Sequence, residues 1–373
     1  MKKISLALLI ILLTQIGCKD DKPTINIVLP TNLELEITLD DDTEGRIEVK
    51  ATAFDENYYT ISFEDGENSE VVETNDGSAS HTYAVSGTYT IVTRAHITAA
   101  DYIQRTDTVK IDREPATNSN GIPTKGFTSP LSYDGYTLVW NEEFEGSSLN
   151  TSIWNYELGT GNNGWGNNEL QYYTKENTSV GDGYLTITTK KQELGGRSYT
   201  SSRLTTQGKK SFQYGRIDIR AALPKGQGMW PALWMLGDNH SSVGWPSCGE
   251  IDIMEIVGGT SNGNSDKRTH GTLHWDNKGE HASYGGSTFT SKNNFNEEFY
   301  VFSIIWNETS IKWLLDDSQF HETEITSEQM SEFRDSFFFI FNVAVGGNWP
   351  GDPDASTQFP QKMHVDYVRV FQK

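Results

Sequence analysis

Residues 131–373 consist almost entirely of short runs of strand-forming residues, separated by turn-forming glycine, asparagine and aspartate. Clear runs lie at 185–188, 216–220, 301–306, 311–315, 337–345 and 365–370. A plausible helical pattern occurs around 327–333. Many short strands with almost no helix predict an all-β fold, and the length of the stretch favours one large β-sandwich of the jelly-roll kind.

A second all-β region, residues 24–113, has a different composition. Residues 20–114 carry 21 acidic side chains and none of the ten tryptophans. Alternating runs at 34–39, 47–51 and 89–93, with turn signals between them, predict a small β-sandwich. Stretches 61–66 and 80–89 resemble the PKD-type immunoglobulin-like domain, which implies a spacer. Residues 114–130 are rich in Pro, Thr, Asn and Gly and predict a linker to the larger domain at 131–373.

Residues 1–17 have the layout of a secretion signal. Two lysines precede an apolar run at 4–13 that is too short to span a bilayer. The following Cys18 completes a segment that resembles a bacterial lipobox, in which the cysteine is lipidated; ordinary signal cleavage is the alternative. Residues 19–21, Lys-Asp-Asp, resemble the export tag of surface lipoproteins in Gram-negative bacteria. We therefore expect a lipid anchor in the outer membrane, facing outward, and no disulfide for Cys248.

The charge balance excludes one class of partner. With 51 acidic and 30 basic side chains the formal net charge is −21. A nucleic-acid surface needs clustered lysine and arginine, and the sequence has no such cluster. The same balance disfavours binding to anionic lipid headgroups. We expect a monomer that contacts the membrane through its lipid anchor alone.

Three acids interrupt an apolar strand at 249–257, namely Glu250, Asp252 and Glu255. Residues two apart on a strand share a face, so Glu250 and Asp252 point together while Glu255 would point away. One extra residue, a β-bulge at 253–254, would return Glu255 to the face of the other two. Bulges commonly re-aim a side chain next to an active site. The alternative is a strand whose acids lie on a solvated face.

The spacing of Glu250 and Glu255 favours a specific chemistry. Four normal strand steps separate their Cα atoms by roughly 13 Å, and inward-leaning side chains remove about half of that. A carboxyl separation of about 5–6 Å fits a retaining glycosidase, whereas inverting enzymes need about 6.5–9.5 Å. With Asp252 between them, at least one proton is retained near neutral pH, which a general acid requires.

The surroundings of these acids resemble glycoside hydrolase family 16, and within it the laminarinase-like endo-β-1,3-glucanases. Glu250, Asp252 and Glu255 match the family's Glu-x-Asp-x-x-Glu signature, and residues 245–249 match its Trp-Pro-x-Cys-Gly lead-in. The resemblance covers about residues 135–373. It implies a jelly-roll with an open cleft and endo-hydrolysis of β-glucan with retention. It also implies that Glu250 is the nucleophile, Glu255 the acid/base and Asp252 a helper, with no cofactor for catalysis.

The same resemblance implies a set of sugar-binding residues. Tryptophan offers a flat apolar surface to the C–H faces of sugar rings, and Trp245 is the best candidate for stacking. Core packing is the alternative for Trp234, a surface ion pair for Arg203, and a structural role for His274. The implied substrate-binding residues are Trp245, Trp230, Trp234, Arg203, Asn168, His274, Trp275 and Asn342.

A structural calcium site is implied at the edge of the sandwich. In the family a glutamate, a glycine carbonyl and a C-terminal aspartate often hold Ca²⁺, and here these would be Glu143, Gly183 and Asp366. Oxygen ligands suit calcium. A plain salt-bridged surface is the alternative.

Two other functions stay open. A non-catalytic glycan-binding lipoprotein would keep the tryptophans but lack one catalytic acid, and the presence of both glutamates favours the enzyme. A family 16 hydrolase of agar or carrageenan would carry extra basic cleft residues, whereas a net charge of −21 fits a neutral glucan better. The sequence leaves open whether the glucan is pure β-1,3 or mixed β-1,3/1,4.

Overall fold

The computed structural model describes residues 27–40, 45–64, 70–83, 86–111, 117–259, 265–290 and 293–373. The predicted signal segment 1–17 and Cys18 lie outside these residues. The chain divides into two compact units, Met1–Glu114 and Pro115–Lys373, called here the first and the second unit. None of the helices in the described part is both long and apolar enough to cross a membrane.

The first unit is a sandwich of two antiparallel sheets. Its strands are β1 Thr31–Leu39, β2 Arg46–Phe54, β3 Tyr58–Phe63, β4 Glu70–Thr74, β5 Ser78–Thr82, β6 Gly87–His96 and β7 Tyr102–Ile111. One sheet has the order β1-β2-β5 and the other β4-β3-β6-β7. Alternate residues of β3, including Ile61 and Phe63, are buried between the sheets with Ile47 and Ile91. The predicted small β-sandwich is confirmed, and its likeness to a PKD domain stays a prediction.

The second unit is also built from strands. They are β8 Thr137–Glu142, β9 Asn155–Glu157, β10 Gln171–Tyr173, β11 Thr178–Gly181, β12 Tyr184–Leu194, β13 Arg197–Ser201, β14 Arg203–Thr205, β15 Ser211–Phe212, β16 Gly215–Ala222, β17 Met229–Gly237, β18 Glu250–Glu255, β19 Arg268–Asn277, β20 Glu280–Phe289, β21 Tyr300–Trp306, β22 Ser310–Leu315, β23 Ser318–Glu324, β24 Phe337–Val345 and β25 Gln361–Gln372. All six predicted runs lie within strands of this set. The predicted large all-β sandwich is confirmed.

Two sheets form the layers of the second unit. In the described residues one has ten strands, with the path β10-β13-β12-β25-β16-β21-β22-β23, and β11 and β8 pair with β12 and β25. The other has eight, with the path β20-β19-β18-β17-β24-β14-β9, and β15 pairs with β24. The core between them is large and apolar, with Trp154, Trp306 and Trp313 fully buried. The acid-bearing strand β18 therefore lies inside the eight-stranded sheet, between β17 and β19.

The two faces of strand β24 have different surroundings: one packs in the core, and part of the other lines a cleft. The strand is buried along its whole length. Phe339 and Phe341 face the main core, whereas Phe338 and Ile340 on the other face pack in a smaller cluster with Cys248. Farther along, that outer face is open and forms part of a cleft. The smaller cluster thus covers the outer face of β24 near its start, whereas Asn342 and Ala344 farther along line the cleft.

Helix is scarce, as predicted. The expected helix around 327–333 is a 3-10 helix, Glu328–Arg334, capped by Ser327, whose hydroxyl accepts from the backbone N–H of Gln329. A four-residue helix α1, His240–Val243, was not predicted, because four residues carry no measurable periodicity. A 3-10 turn at Lys175–Asn177 and a tight turn at Gly164–Asn168 complete the helical segments of the described chain.

The described part of the predicted linker, residues 117–130, makes buried contacts with later strands. Ile122 is buried against Ala222 and Phe299. Ser129 is buried as well, and its backbone N–H donates to the hydroxyl of Tyr367. Residues 117–130 therefore belong to the packed body of the second unit, and their role as a linker stays a prediction. The proline- and glycine-rich composition concealed these anchoring contacts.

Candidate active site

The geometry of β18 is set by a bulge. Ile253 is skipped in the pairing of β18 with β17, and the same shift appears on the β19 side between Asp252 and Glu255. The predicted bulge is confirmed. As a result Glu250, Asp252 and Glu255 all line the same cleft.

A buried tryptophan of the opposite sheet supports the bulge from behind. Trp313 on β22 is fully buried, and its indole N–H donates to the main-chain oxygen of Asp252 at 2.8 Å. On the neighbouring strand, a Cβ at Gly271 would lie 2.2 Å from Cδ1 of Trp313. Only glycine leaves room for the indole at this place. The peptide group at the bulge thus gains a donor that the interrupted ladder does not supply.

The acids lie in a cleft of about 820 Å³ on the outer face of the eight-stranded sheet. Six of the eight predicted substrate-binding residues line it, namely Trp245, Trp230, Trp234, Arg203, His274 and Asn342. Trp245 is 48% exposed, which leaves its ring available for stacking against a sugar.

Two of the predicted residues do not line the cleft. Asn168 is exposed, and its side-chain amide donates to Asn348 at 2.8 Å. Its chain neighbours Asn167 and Glu169 line the cleft instead. Trp275 follows His274 on β19 and therefore points to the opposite face, where it packs edge-on against Phe333.

A buried polar network supports one side of the cleft. Glu169 accepts hydrogen bonds from Gln171 and from the hydroxyl of Tyr173. Asn342 donates to the same hydroxyl and accepts from the indole of Trp234 at 2.7 Å. Burial raises the pKa of Glu169 above its usual value. Such a network holds its side chains in fixed positions at the wall of the cleft.

Arg203 belongs to the same side of the cleft. It forms an ion pair with Glu157, and its guanidinium lies over the rings of Trp165 and Trp234, 4.5 and 4.8 Å from their centroids. Arg203 is buried and lines the cleft, so its ion pair with Glu157 does not lie on the open surface. Trp165 has a left-handed backbone, with φ of 56°. A tryptophan rarely adopts that conformation, and strain of this kind is concentrated at functional sites.

The other side of the cleft is built around Trp349, which is 43% exposed. Its ring meets Trp230 and His270 edge-on, with centroids 5.7 and 5.0 Å away. Burial, together with the charge of Arg268, lowers the pKa of His270 to about 4. This imidazole is therefore uncharged at neutral pH. Trp349 and His270 add an aromatic surface beside Glu255 that the sequence reading missed.

Burial dominates the electrostatics of the three acids. Burial, with the charge of Asp252, raises the pKa of Glu250 to about 8, and burial raises the pKa of Glu255 to about 7. Burial and the charge of Glu255 raise the pKa of Asp252 well above its usual range. The cluster therefore retains protons near neutral pH, as expected.

Each glutamate receives one indole N–H. Trp245 Nε1 donates to Glu250 Oε2 and Trp230 Nε1 donates to Glu255 Oε1, both at 2.9 Å. Each donor lowers the pKa of its acceptor and so opposes the effect of burial. The two carboxyl groups are thus held in place by rigid rings rather than by flexible cations.

The residues implied for calcium are engaged otherwise. Both carboxylate oxygens of Glu143 accept from Arg369 at 2.9 Å, and Asp366 accepts from Arg220 at 2.6 Å. Gly183 lies in the turn between β11 and β12. Because a guanidinium already balances each carboxylate, this donor set does not fit a calcium ion as it stands. Both carboxylates are salt-bridged in this arrangement, and the calcium site stays a prediction.

Comparison with known proteins gives a consistent result. The model of Glycosyl hydrolases family 16 matches residues 166–369. The β-glucanase of Rhodothermus marinus is 42% identical over 257 residues, 63% of this chain and 85% of the relative. The clotting factor G alpha subunit of Tachypleus tridentatus is 43% identical over 240 residues, 64% of this chain, and this chain spans 34% of its length. The laminarinase catalytic domain of Thermotoga maritima is 43% identical, with a TM-score of 0.58 over 64% of this chain and 98% of that domain.

Proposed function

Because the chain belongs to family 16 of the glycosyl hydrolases and is a glycoside hydrolase, we propose that its second unit cuts internal β-1,3-glucosidic bonds of β-glucan with retention of configuration. The observation that carries the proposal is the bulged strand, which brings Glu250 and Glu255 to one cleft face with an indole N–H on each. The names laminarinase and β-glucanase among similar proteins support the choice of substrate.

The geometry fits double displacement. Glu255 donates its proton to the glycosidic oxygen while a carboxylate oxygen of Glu250 attacks the anomeric carbon and forms a glycosyl ester. Glu255, now ionised, removes a proton from water, which attacks the same carbon and releases Glu250. Its pKa near 7 suits a group that must give and then take a proton at the same pH. Asp252 lies beside Glu250 and tunes its charge.

The layout of the cleft supports attack within a chain. Aromatic rings flank the acids on both sides, with Trp165 and Trp234 near Arg203, and Trp230 and Trp349 near Glu255. Sugars bound on both sides of the scissile bond would each find a ring to stack on. We therefore expect endo-hydrolysis.

The cleft also bears on the other two functions. Among the described residues that line it, Arg203 is the one lysine or arginine, and Glu157 neutralises it. A cleft for the sulfated chains of carrageenan would need unpaired cations, so a neutral glucan fits better. A glycan-binding protein without catalysis would not need both glutamates in this arrangement.

Product analysis tests the proposal. We expect laminarin to yield a ladder of oligosaccharides early in the reaction, since internal bonds are cut first. Barley-type mixed-linkage glucan, agarose and carrageenan, treated alongside, define specificity. A preference for agarose or carrageenan, or release of glucose alone from laminarin, would contradict the proposal.

We further propose that Cys18 carries a lipid anchor and that the enzyme lies on the outer face of the outer membrane. The apolar run at 4–13 followed by Cys18 supports this, as does the Lys-Asp-Asp at 19–21. Two or three acyl chains anchor stably where one holds marginally. Fractionation of cells expressing wild type and Cys18→Ala, with protease added outside, tests it. Wild-type protein that is wholly soluble would contradict lipidation, and membrane-bound protein resistant to the protease would place it facing inward.

A further inference from the structure

The roles of Glu250 and Glu255 create an electrostatic problem. A nucleophile must be ionised while the acid/base holds a proton, yet burial and Asp252 raise the pKa of Glu250 above that of Glu255. A nearby positive charge would solve the problem, because it favours the ionised carboxylate. Arg203 cannot supply it, since Glu157 pairs with it.

A pair of histidines lies next to Glu250. His274 Nε2 is 3.2 Å from Asp252 Oδ2 and 3.9 Å from Glu250 Oε1. Its other ring nitrogen, Nδ1, is 2.8 Å from His281 Nε2, and the two rings are inclined by 15° with their centroids 5.1 Å apart. Among the described residues no aligned hydrogen-bond donor reaches Asp252 Oδ2, which is buried. Asp252, His274 and His281 thus form a line from the buried acids to the exposed surface.

The charge on His274 depends on whether its Nδ1 or the Nε2 of His281 holds the proton between them. A neutral His281 can accept from His274 Nδ1–H, and His274 then carries protons on both nitrogens and is positively charged. Burial and the neighbouring His274 lower the pKa of His281, which favours the neutral form of His281. Trp245, whose ring centroid is 4.7 Å from that of His281, holds the outer ring in place.

We propose that His281 is a positioning residue, whose neutral Nε2 accepts from His274 Nδ1–H and so holds His274 as an imidazolium that keeps Glu250 ionised for attack. This inference rests on the proposed function of the cleft. Trp245 contacts both Glu250 and His281, since its indole N–H donates to Glu250 and its ring packs on His281. Nothing in the family signature of the acid strand requires His281, which reaches the site from β20.

Other titratable groups near the pair also influence its charge. On β18 they are the three acids, on β19 His270 and Asp276, and on α1 His240. Asp276 lies opposite His281 in the β19–β20 register, but its carboxylate accepts from Ser247 and from the backbone N–H of Gly279. His240 lines the same cleft. In the proposed arrangement the hydrogen bond from His274 to His281 decides which ring carries the proton.

The first test is the pH profile of kcat/KM on laminarin for the full chain, with His281→Ala, His281→Gln and His321→Gln variants. His281→Ala removes the acceptor, so the acidic limb moves to higher pH by about half to one unit, a roughly 3- to 10-fold loss on that limb. Glutamine can accept the same N–H through its amide oxygen, and His281→Gln shifts the limb by less than half as much. His321 packs on Trp313 and Tyr284 outside the cleft lining, and His321→Gln leaves the limb unchanged.

A merely structural role for His281 would lower the rate equally at every pH, and that result would overturn the proposal. An acidic limb of the His281→Ala profile identical to that of wild type would overturn it as well.

A second measurement needs no substrate. In two-dimensional NMR, with the His274 signal assigned by its loss in His274→Gln, the ring of His274 becomes neutral at lower pH in His281→Ala than in wild type. An unchanged NMR titration contradicts the inference, whereas absence of laminarin hydrolysis by wild type contradicts the proposed function instead.

Discussion

The two sandwiches of this chain are built from the same kind of strands and use charge in opposite ways. In the described part of the first unit no carboxylate is buried, and ion pairs such as Arg105–Asp107 lie at the surface. In the second unit Asp252 and Glu255 are 2% and 8% exposed and lie beside Glu250. Burying carboxylates destabilises a fold, so such a cluster persists where function requires it. The comparison points to the bulged strand, where three carboxylates lie together in one cleft, rather than to the fold class.

The largest effect is expected from removing one of the two carboxylates proposed to be catalytic. Glu250→Gln and Glu255→Gln each reduce laminarin hydrolysis by at least about 100-fold, since general acid catalysis alone contributes about 10²–10⁴-fold. The matched control is Glu73→Gln, the same change at an exposed strand position of the first unit, which leaves the rate unchanged. Initial rates of reducing-sugar release measure all three. Near wild-type rates in either cleft variant would mean that the buried carboxylates of the second unit matter no more for hydrolysis than an exposed one of the first unit.

A second prediction concerns stability and its dependence on pH. Folding raises the pKa of Glu255 from about 4.5 to about 7, so the folded state binds the proton more tightly. Stability is therefore highest below the unfolded pKa and falls as pH rises through the folded one. Glu255→Gln removes this loss and is expected to be more stable than wild type at pH 8, by on the order of 1–3 kcal/mol.

Thermal melts at pH 4 and pH 8 measure this difference. The two proteins should nearly coincide at pH 4, where Glu255 is largely protonated in both states. Glu73→Gln should follow wild type at both values. A Glu255→Gln variant that is less stable at pH 8 would show that the buried charge is compensated by contacts other than the indole of Trp230.

The smallest effect is expected from deleting the first unit. Each unit has its own core, and none of the described residues of the first unit lines the cleft. Removal of residues 1–114 should change kcat/KM on soluble laminarin by less than about twofold. A loss comparable with that of Glu250→Gln would mean that the first unit takes part in catalysis.

The sequence predicted the site best where strand periodicity applies. Glu255 has the wrong parity relative to Glu250 for a regular strand, and a bulge is the simplest way to bring both to one face. The same rule could have excluded Trp275, because it is adjacent to His274 and must face the other way. Periodicity does not apply at Asn168, which lies in a turn with left-handed residues at 163, 165 and 168.

Residues brought in by strand pairing were beyond the reach of the sequence. His281 lies on β20 and reaches the acids through the register of β20 with β19, which a single sequence does not determine. Trp349 reaches the cleft from the loop after β24. The packed segment 117–130 was likewise concealed, because its buried contacts, such as that of Ile122, are made with distant strands.

The stereochemistry of the first product tests the central claim most directly. Proton NMR during rapid hydrolysis of a laminarin oligosaccharide distinguishes the two anomers before they interconvert. If the bulge holds Glu250 and Glu255 at the short separation of a retaining enzyme, the β-anomer appears first and the α-anomer grows later by mutarotation. Initial release of the α-anomer would contradict the account, because it requires a water molecule between the carboxylates in place of a nucleophile.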